Sequence, residues 1–278
     1  MKVAHGRRWL IAVASAVLLI GIGVLWIWPS IRPPLVSVDG SLVEARVLGT
    51  GTPTVVFELG AAGGHLAYWR LQSKVSKYTR TVVYERAGLG RSELRDEPRS
   101  GEQIASELHA LLTTLHLPPP YVLVGHSYGG VLIRVFAHRY PAEIAGLVFV
   151  DPATEGYYDY MKQETPREWA AATDAQGQGF RQQWLGIPSV LDDARRAWPL
   201  PHVPTTIVSA GRPLGEWPLR SEKDVERFHQ EQMTLASQMP DAKLVFIPDA
   251  THMSILQDSQ LAQEIVEIAR KAKSGKKT

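Results

Sequence analysis

The chain has 278 residues, of which 45% are hydrophobic and 21% are charged, so its composition is that of a globular protein and excludes wholesale disorder. It contains no cysteine, which excludes disulfide frameworks, thiolate zinc sites and cysteine nucleophiles. Three of the 30 basic residues and none of the 28 acidic residues lie within residues 1–28, so the rest of the chain is close to neutral. A near-neutral body argues against a nucleic-acid-binding protein.

Residues 9–28 form an uncharged apolar run of twenty residues. As a helix this run would extend roughly 30 Å, the thickness of the hydrocarbon core of a bilayer. Lys2, Arg7 and Arg8 precede it, so the positive-inside bias predicts a single-pass membrane anchor with its amino-terminal side in the cytoplasm and the body of the protein outside. The alternative is a cleaved signal peptide and a secreted protein, although the run is longer than a usual signal core and no small-x-small site follows it cleanly.

The proline-rich residues 29–34 predict a stiff spacer, which places an anchor and spacer in residues 1–34 and one domain in residues 35–278. That domain begins with a predicted hairpin, whose strands Val36–Val38 and Leu42–Leu48 flank an Asp-Gly turn. A buried strand is predicted over Thr54–Leu59, and a glycine-rich loop follows it.

The next elements are a short strand over Thr81–Tyr84 and a glycine-containing turn over residues 85–92. Ser100 and Gln103 form a predicted capping box, and leucines at helical spacing follow until three prolines stop the helix at residues 118–120.

The stretch Val122–Gly130 is the most informative in the sequence. An apolar β-branched run ends in Gly-His-Ser-Tyr-Gly, and an amphipathic run over Val131–Tyr140 follows at once. Strand, tight turn and helix with Ser127 at the apex are the geometry that exposes a nucleophile. Gly-x-Ser-x-Gly alone is a weak pattern, but its place between a strand and a helix makes it strong.

The rest of the chain alternates predicted strands with predicted helices and is interrupted by one insertion. Residues 153–203 contain scattered aromatic residues without a clean period, which predicts an inserted lid of short helices. The remaining predicted elements are strands over Gly146–Val150, Thr205–Ser209 and Leu244–Ile247, a helix over Ser221–Ser237 and a final helix around Leu261–Ala269. This alternation predicts an α/β fold with a mostly parallel sheet and helices on both faces.

Four motifs together resemble the α/β-hydrolase superfamily, and its small serine esterase-like members in particular. They are the elbow at Ser127, the turn over residues 85–92, the Val-Asp-Pro end of the strand at residues 150–152, and the late Thr251-His252. The resemblance covers roughly residues 35–270 and implies an eight-stranded sheet, a nucleophile after strand five, and an acid and a histidine later in the chain. It implies no particular substrate, because this fold hosts many chemistries.

A serine is a weak nucleophile unless a base removes its proton. His252 follows the last predicted strand by a short loop and matches the position of the family's histidine, so we expect it to be the general base for Ser127. Family members often place the acid after strand seven, but Ala-Gly-Arg-Pro occupies residues 210–213 here. Asp151, at the end of strand six, is the position that other members use, and we expect it to be the triad acid. The alternatives are Glu216 and, less favoured, Asp249 or Asp224.

The resemblance also implies an oxyanion hole formed by the backbone N–H groups of Tyr128 and Ala61, with Gly60 or Ala62 as alternatives to Ala61. For the substrate-binding pocket, we expect contributions from Gly60, His65, Tyr157 and Trp184. An aromatic lid over a serine favours a small-molecule ester with an apolar group.

The sequence therefore predicts a membrane-anchored serine hydrolase that cleaves a carboxylic ester with Ser127, His252 and Asp151, and that needs no metal or organic cofactor. Acyl transfer, or amide or carbon–carbon cleavage on the same triad, is the alternative chemistry. A catalytically inactive, membrane-tethered binding module is the alternative from a different class.

Overall fold

Eight strands form one sheet in the part of the chain that the computed structural model describes, which is residues 32–173, 177–215, 218–239 and 241–275. The strands are β1 Leu35–Val38, β2 Ser41–Leu48, β3 Thr54–Glu58, β4 Thr81–Tyr84, β5 Tyr121–His126, β6 Ile144–Val150, β7 Thr205–Arg212 and β8 Lys243–Thr251. Their order across the sheet is β1-β2-β4-β3-β5-β6-β7-β8. The pairs β1–β2 and β2–β4 are antiparallel and all other neighbours are parallel, so the predicted eight-stranded, mostly parallel sheet is confirmed.

The hairpin at the edge of the sheet has the predicted register. Asp39 and Gly40 both have positive φ angles, 47° and 81°, which suits the tight two-residue turn that Asp-Gly favours. Val36 therefore lies opposite Val43 across the hairpin.

Helices cover both faces of the sheet. They are α1 His65–Val75, α2 Gly101–Thr114, α3 Tyr128–Arg139, α4 Glu155–Glu164, α5 Pro166–Ala171, α6 Gly177–Arg196, α7 Glu222–Ser237 and α8 Ser259–Ser274. The capping box at Ser100 and Gln103 is present at the start of α2, as predicted. Helix α1 was not predicted, because its start is capped by a distant side chain, Glu85, and not by a local capping residue.

Two apolar cores lie on opposite faces of the sheet, and the central strand β5 contributes to both. Leu123 packs in the core beneath α2 and α3, whereas Val122 and Val124 pack in the core beneath α1 and α8. This alternation follows from the two-residue period of a strand, and burial on both faces explains why the strand is a continuous apolar run.

The insertion after β6 consists of α4, α5 and α6 among the residues described. The expectation that all its helices are short is wrong for α6, which has 20 residues and Pro188 inside it. Glycines obscured this helix in the sequence because they are poor helix formers. Here they serve close packing: a Cβ on Gly179 would lie 1.7 Å from the carbonyl oxygen of Gly88, and one on Gly186 would lie 2.6 Å from that of Arg99.

The chain from Leu35 onward forms a compact unit of its own. Within the described ranges, no helix combines the length and apolarity needed to cross a membrane. The anchor predicted over residues 9–28 lies outside those ranges.

Candidate active site

Ser127 occupies the turn between β5 and α3 with φ 54° and ψ −121°, a conformation that costs an L-residue roughly 1–3 kcal/mol. Backbone hydrogen bonds hold it there. The Ser127 N–H donates to the Val150 carbonyl at 3.1 Å, and the Ser127 carbonyl accepts from Gly130 at 2.9 Å and from Ala153 at 3.1 Å. These bonds tie the turn to the end of β6, the strand next to β5.

Glycine is required on both sides of Ser127 because the helix starts directly against the sheet. A Cβ on Gly129 would lie 2.2 Å from the carbonyl oxygen of Glu58, and one on Gly125 would lie 2.5 Å from that of Gly129. The Gly-x-Ser-x-Gly pattern is therefore a consequence of backbone contact at this turn.

Asp151 and His252 lie side by side although 101 residues separate them, with His252 Nδ1 2.6 Å from Asp151 Oδ2. His252 directly follows β8, so the predicted loop before it is instead the end of that strand. The second oxygen of Asp151, Oδ1, accepts from the Ala210 N–H and from Gln232 Nε2, each at 3.0 Å. Burial alone would raise the pKa of Asp151, but its hydrogen bonds with His252, Ala210 and Gln232 outweigh this and lower it.

The hydrogen bond to Asp151 assigns the proton of neutral His252 to Nδ1, which leaves Nε2 as the acceptor. His252 and Ser127 line the same cavity. A histidine oriented by a buried carboxylate and the serine at the turn therefore lie at one cavity.

His126, the buried residue before Ser127, links the elbow to the chain at His252 through a hydrogen bond. Its Nε2 lies 2.9 Å from the carbonyl oxygen of His252, which assigns the ring proton to that nitrogen. Its Nδ1 therefore accepts from the Tyr68 hydroxyl at 2.8 Å, and Tyr68 in turn accepts from the Gly60 N–H at 3.2 Å. Burial, together with the neighbouring His252, lowers the pKa of His126 to about 3, so its ring is neutral.

Arg86 is a buried cation beneath the loop that follows β3. Its guanidinium donates to the carbonyls of Leu59, at 2.8 Å, and Gly60, at 2.5 Å, and pairs with the carboxylate of Glu58. Burial would lower the pKa of Arg86, but Glu58 beside it raises that pKa above the ordinary value. The sequence predicted only that Arg86 belongs to the turn over residues 85–92. Because this turn follows β4, the strand next to β3, Arg86 lies beneath the loop that follows β3.

The same loop shows which backbone N–H groups are available to an oxyanion. The Gly60 N–H is already bound to Tyr68. Those of Ala61 and Ala62 have no hydrogen-bond partner among the residues described. The Tyr128 N–H belongs to the first residue of α3, where no preceding helical turn accepts it.

His65, predicted to lie in the pocket, is directed elsewhere. Its Nδ1 lies 3.0 Å from Glu85 Oε1, and the same carboxylate accepts from the Gly64 N–H. His65 therefore lies at the start of α1 and is not among the described residues that line the cavity, so a contact between His65 and substrate stays a prediction.

The cavity above Ser127 has a volume of about 290 Å³, and the predicted residues Gly60, Tyr157 and Trp184 line it. The polar tips of two aromatic residues are bound away from it, since Tyr157 donates to the Pro218 carbonyl at 2.9 Å and Trp184 to the Trp169 carbonyl at 3.0 Å. None of the described lining residues is Asp, Glu, Lys or Arg. The walls of the cavity therefore present mainly apolar surface to a ligand.

The alternative acids lie elsewhere or outside the described ranges. Asp224 accepts from the Ser221 N–H at the start of α7, and Asp249 is exposed on β8. Glu216 lies outside the described residues. Across the described ranges, no group of three or more His, Asp or Glu side chains could hold a metal ion.

A family model described as "Alpha/beta hydrolase family" matches residues 55–265, most of the chain. The chain belongs to this family. The resemblance drawn from the elbow and the Val-Asp-Pro strand end is therefore confirmed at the level of the family.

Curated relatives match the chain over shorter stretches. A probable transporter of Hormonema carpetanum is 34% identical over 49% of this chain and 20% of its own length. A putative carbamate hydrolase of Pantoea ananatis is 36% identical over 38% of this chain and 40% of its own length. The chain thus spans well under two thirds of these relatives.

The solved enol-lactonase of Burkholderia xenovorans has the same fold over nearly all of its length. The match covers 84% of this chain and 99% of the lactonase, with a TM-score of 0.61 and 22% identity.

The buried, neutral His126 predicts a specific loss of stability in acid. Its pKa is about 3 in the folded protein against an ordinary value of 6.5, so between these values only the unfolded chain takes up this proton. The free energy of unfolding therefore falls as the pH falls from about 6.5 to about 3, by up to about 1.4 kcal/mol per unit. Urea unfolding at a series of pH values should show a shallower fall in His126→Gln than in the wild type.

His138 on the exposed side of α3 provides the control. His138→Gln should leave the pH dependence unchanged. A slope in His126→Gln equal to that of the wild type would contradict a buried neutral ring.

Proposed function

We propose that the protein is a serine hydrolase that cleaves a carboxylic ester, with Ser127 as nucleophile, His252 as base and Asp151 as acid. The observation that carries this proposal is the 2.6 Å hydrogen bond between buried Asp151 and His252 at the cavity into which the strained Ser127 turn opens. A buried carboxylate with three hydrogen bonds is a rigid orienting group for a histidine base.

In the proposed reaction the Ser127 hydroxyl oxygen attacks the acyl carbon while His252 Nε2 takes its proton. The developing negative charge on the carbonyl oxygen is bound by the N–H groups of Tyr128 and Ala61. His252 then gives the proton to the leaving alcohol, which leaves an acyl group on Ser127. A water molecule, deprotonated by His252, releases the acid and restores the serine. Asp151 stabilises the imidazolium throughout.

The apolar cavity supports a neutral small-molecule ester with an apolar acyl or alcohol group. Its aromatic walls contain no described Asp, Glu, Lys or Arg that would bind a charged substituent. The names of similar proteins, a putative carbamate hydrolase and an enol-lactonase, are consistent with hydrolysis at an acyl carbon.

Acyl transfer to an alcohol, or cleavage of an amide or carbon–carbon bond, would use the same three residues. Turnover in the presence of added methanol separates transfer, which yields the methyl ester, from hydrolysis, which yields the acid. A protein that binds ligands in this cavity without turnover is the alternative outside catalysis.

We also propose that residues 9–28 anchor the protein in a membrane and that the hydrolase domain lies on the extracytoplasmic side. The support is the uncharged run with its preceding basic residues. An alkaline phosphatase fusion after Thr278, which folds only outside the cytoplasm, should be active and membrane-bound in bacterial cells. Activity in the soluble extracellular fraction would indicate the cleaved signal peptide, and an inactive fusion would contradict the orientation.

The proposed triad predicts the effects of two substitutions. Ser127→Ala should abolish hydrolysis of p-nitrophenyl butyrate and labelling by a fluorophosphonate, because the nucleophile is gone. Asp151→Asn should lower kcat by about 10⁴-fold, because an amide favours the wrong tautomer of His252. Steady-state kinetics on the full-length variants measure the hydrolysis, and gel detection of a fluorescent fluorophosphonate measures the labelling.

Asp249→Asn, at an exposed position of β8, is the matched control and should retain wild-type kinetics. Wild-type activity in Asp151→Asn together with its loss in Glu216→Gln would transfer the acid to Glu216. A folded wild type that neither hydrolyses esters nor reacts with the fluorophosphonate would support the binding module instead.

A further inference from the structure

Three successive peptide groups after β3 are each held by their carbonyl oxygens. Arg86 binds the carbonyls of Leu59 and Gly60, and Gln183 Nε2 binds that of Ala61 at 3.2 Å. In a trans peptide the C=O and the following N–H point in opposite directions. Fixing the carbonyls of Gly60 and Ala61 therefore fixes the directions of the Ala61 and Ala62 N–H groups, which are the unpartnered donors of this loop.

Gln183 contacts both Arg86 and the Ala61 carbonyl. Its Oε1 accepts from Arg86 Nε at 2.6 Å while its Nε2 donates to Ala61, and the side chain is only 3% exposed. A primary amide has the acceptor and the donor that these two partners require. The side chain comes from α6 of the insertion, outside the strands and loops that carry Ser127, Asp151 and His252.

Helix α6 is itself firmly docked, so Gln183 lies on a rigid support. One turn before Gln183, Gly179 packs directly on the backbone of Gly88. Towards its other end, Asp193 Oδ2 accepts from the Glu102 N–H in the first turn of α2 at 3.1 Å. A side chain projecting from such a helix can hold a loop in one orientation.

We propose that Gln183 is a positioning residue that fixes the oxyanion-binding N–H groups of Ala61 and Ala62, directly through the Ala61 carbonyl and indirectly through Arg86. The inference rests on the proposed serine hydrolase activity. It assigns to the inserted segment a part in stabilising the transition state, beyond covering the substrate.

The test compares Gln183→Met with Gln182→Met in the full-length protein. Gln182 is the adjacent residue of the same helix, and its amide donates to the Asp96 carbonyl at 3.2 Å, away from the loop. Gln183→Met should lower kcat for p-nitrophenyl butyrate by about 10- to 100-fold with KM nearly unchanged, because a misdirected donor weakens only the binding of the oxyanion. Gln182→Met should retain the wild-type kcat.

Gln183→Glu separates positioning from general stability. Its ionised carboxylate still accepts from Arg86 Nε but cannot donate to the Ala61 carbonyl, so kcat should fall. The melting temperatures of both Gln183 variants, measured beside that of Gln182→Met, separate this loss from a general loss of stability. Wild-type kcat in both Gln183 variants, or an equal loss in Gln182→Met, would overturn the inference.

Amide hydrogen exchange over residues 59–64 gives a readout that needs no turnover. The Gly63 N–H, which donates to the Gly60 carbonyl at 3.0 Å, should exchange about 5- to 10-fold faster in Gln183→Met, the equivalent of roughly one lost hydrogen bond. Faster exchange with no ester hydrolysis by the wild type would contradict the proposed function but not the positioning role. Unchanged exchange would contradict the positioning role itself.

Discussion

The left-handed backbone of Ser127 is the constraint on which the rest of the site depends. A residue with φ 54° between a strand and a helix is stable only if its surroundings hold it. Here the Val150 carbonyl at the end of β6 accepts from the Ser127 N–H, and the Ala153 N–H just beyond β6 donates to the Ser127 carbonyl. The helix must then begin so close to β3 that Gly129 has no room for a Cβ. The strained turn, the glycines and the central position of β5 are thus parts of one geometric requirement.

The proposed acid and base are held by the neighbouring strands in the same way. Asp151 directly follows β6 and His252 directly follows β8. Strand β7, which lies between these two strands, contributes the Ala210 N–H to the carboxylate. Gln232 on α7 supplies the third hydrogen bond, so Asp151 remains a carboxylate although it is buried. The charge that would stabilise an imidazolium is therefore kept in place by hydrogen bonds from three separate elements.

Much of this could be predicted from local sequence, and the exceptions share a cause. The strands, the hairpin turn and the elbow are encoded by short-range patterns, so they were predicted within a few residues. The proposed site residues Ser127, Asp151 and His252 were expected from motifs near strand ends together with the resemblance to the α/β-hydrolase superfamily. Helix α1 and the length of α6 were missed because they depend on distant partners, Glu85 at the start of α1 and the Gly88 backbone against Gly179.

The side chains that hydrogen-bond to the site residues and to the loop after β3 could not be predicted for the same reason. Tyr68, Gln183 and Gln232 reach the site from helices whose packing no local pattern reveals. His65 shows that position in the sequence does not by itself fix the contacts of a side chain. It follows the loop that lines the cavity, but its ring contacts Glu85, and His65 is not among the described lining residues.

In the proposed mechanism, Ser127 attacks a carbonyl whose oxygen is bound by the N–H groups of Tyr128 and of the loop after β3. A crystal structure of the protein after reaction with a fluorophosphonate tests this most directly, because the phosphonyl oxygen takes the place of the oxyanion. The proposed mechanism predicts a covalent bond to Ser127 Oγ, with the phosphonyl oxygen about 3 Å from the N–H groups of Tyr128 and Ala61 or Ala62. A bond to another residue, or a phosphonyl oxygen directed away from these groups, would contradict it.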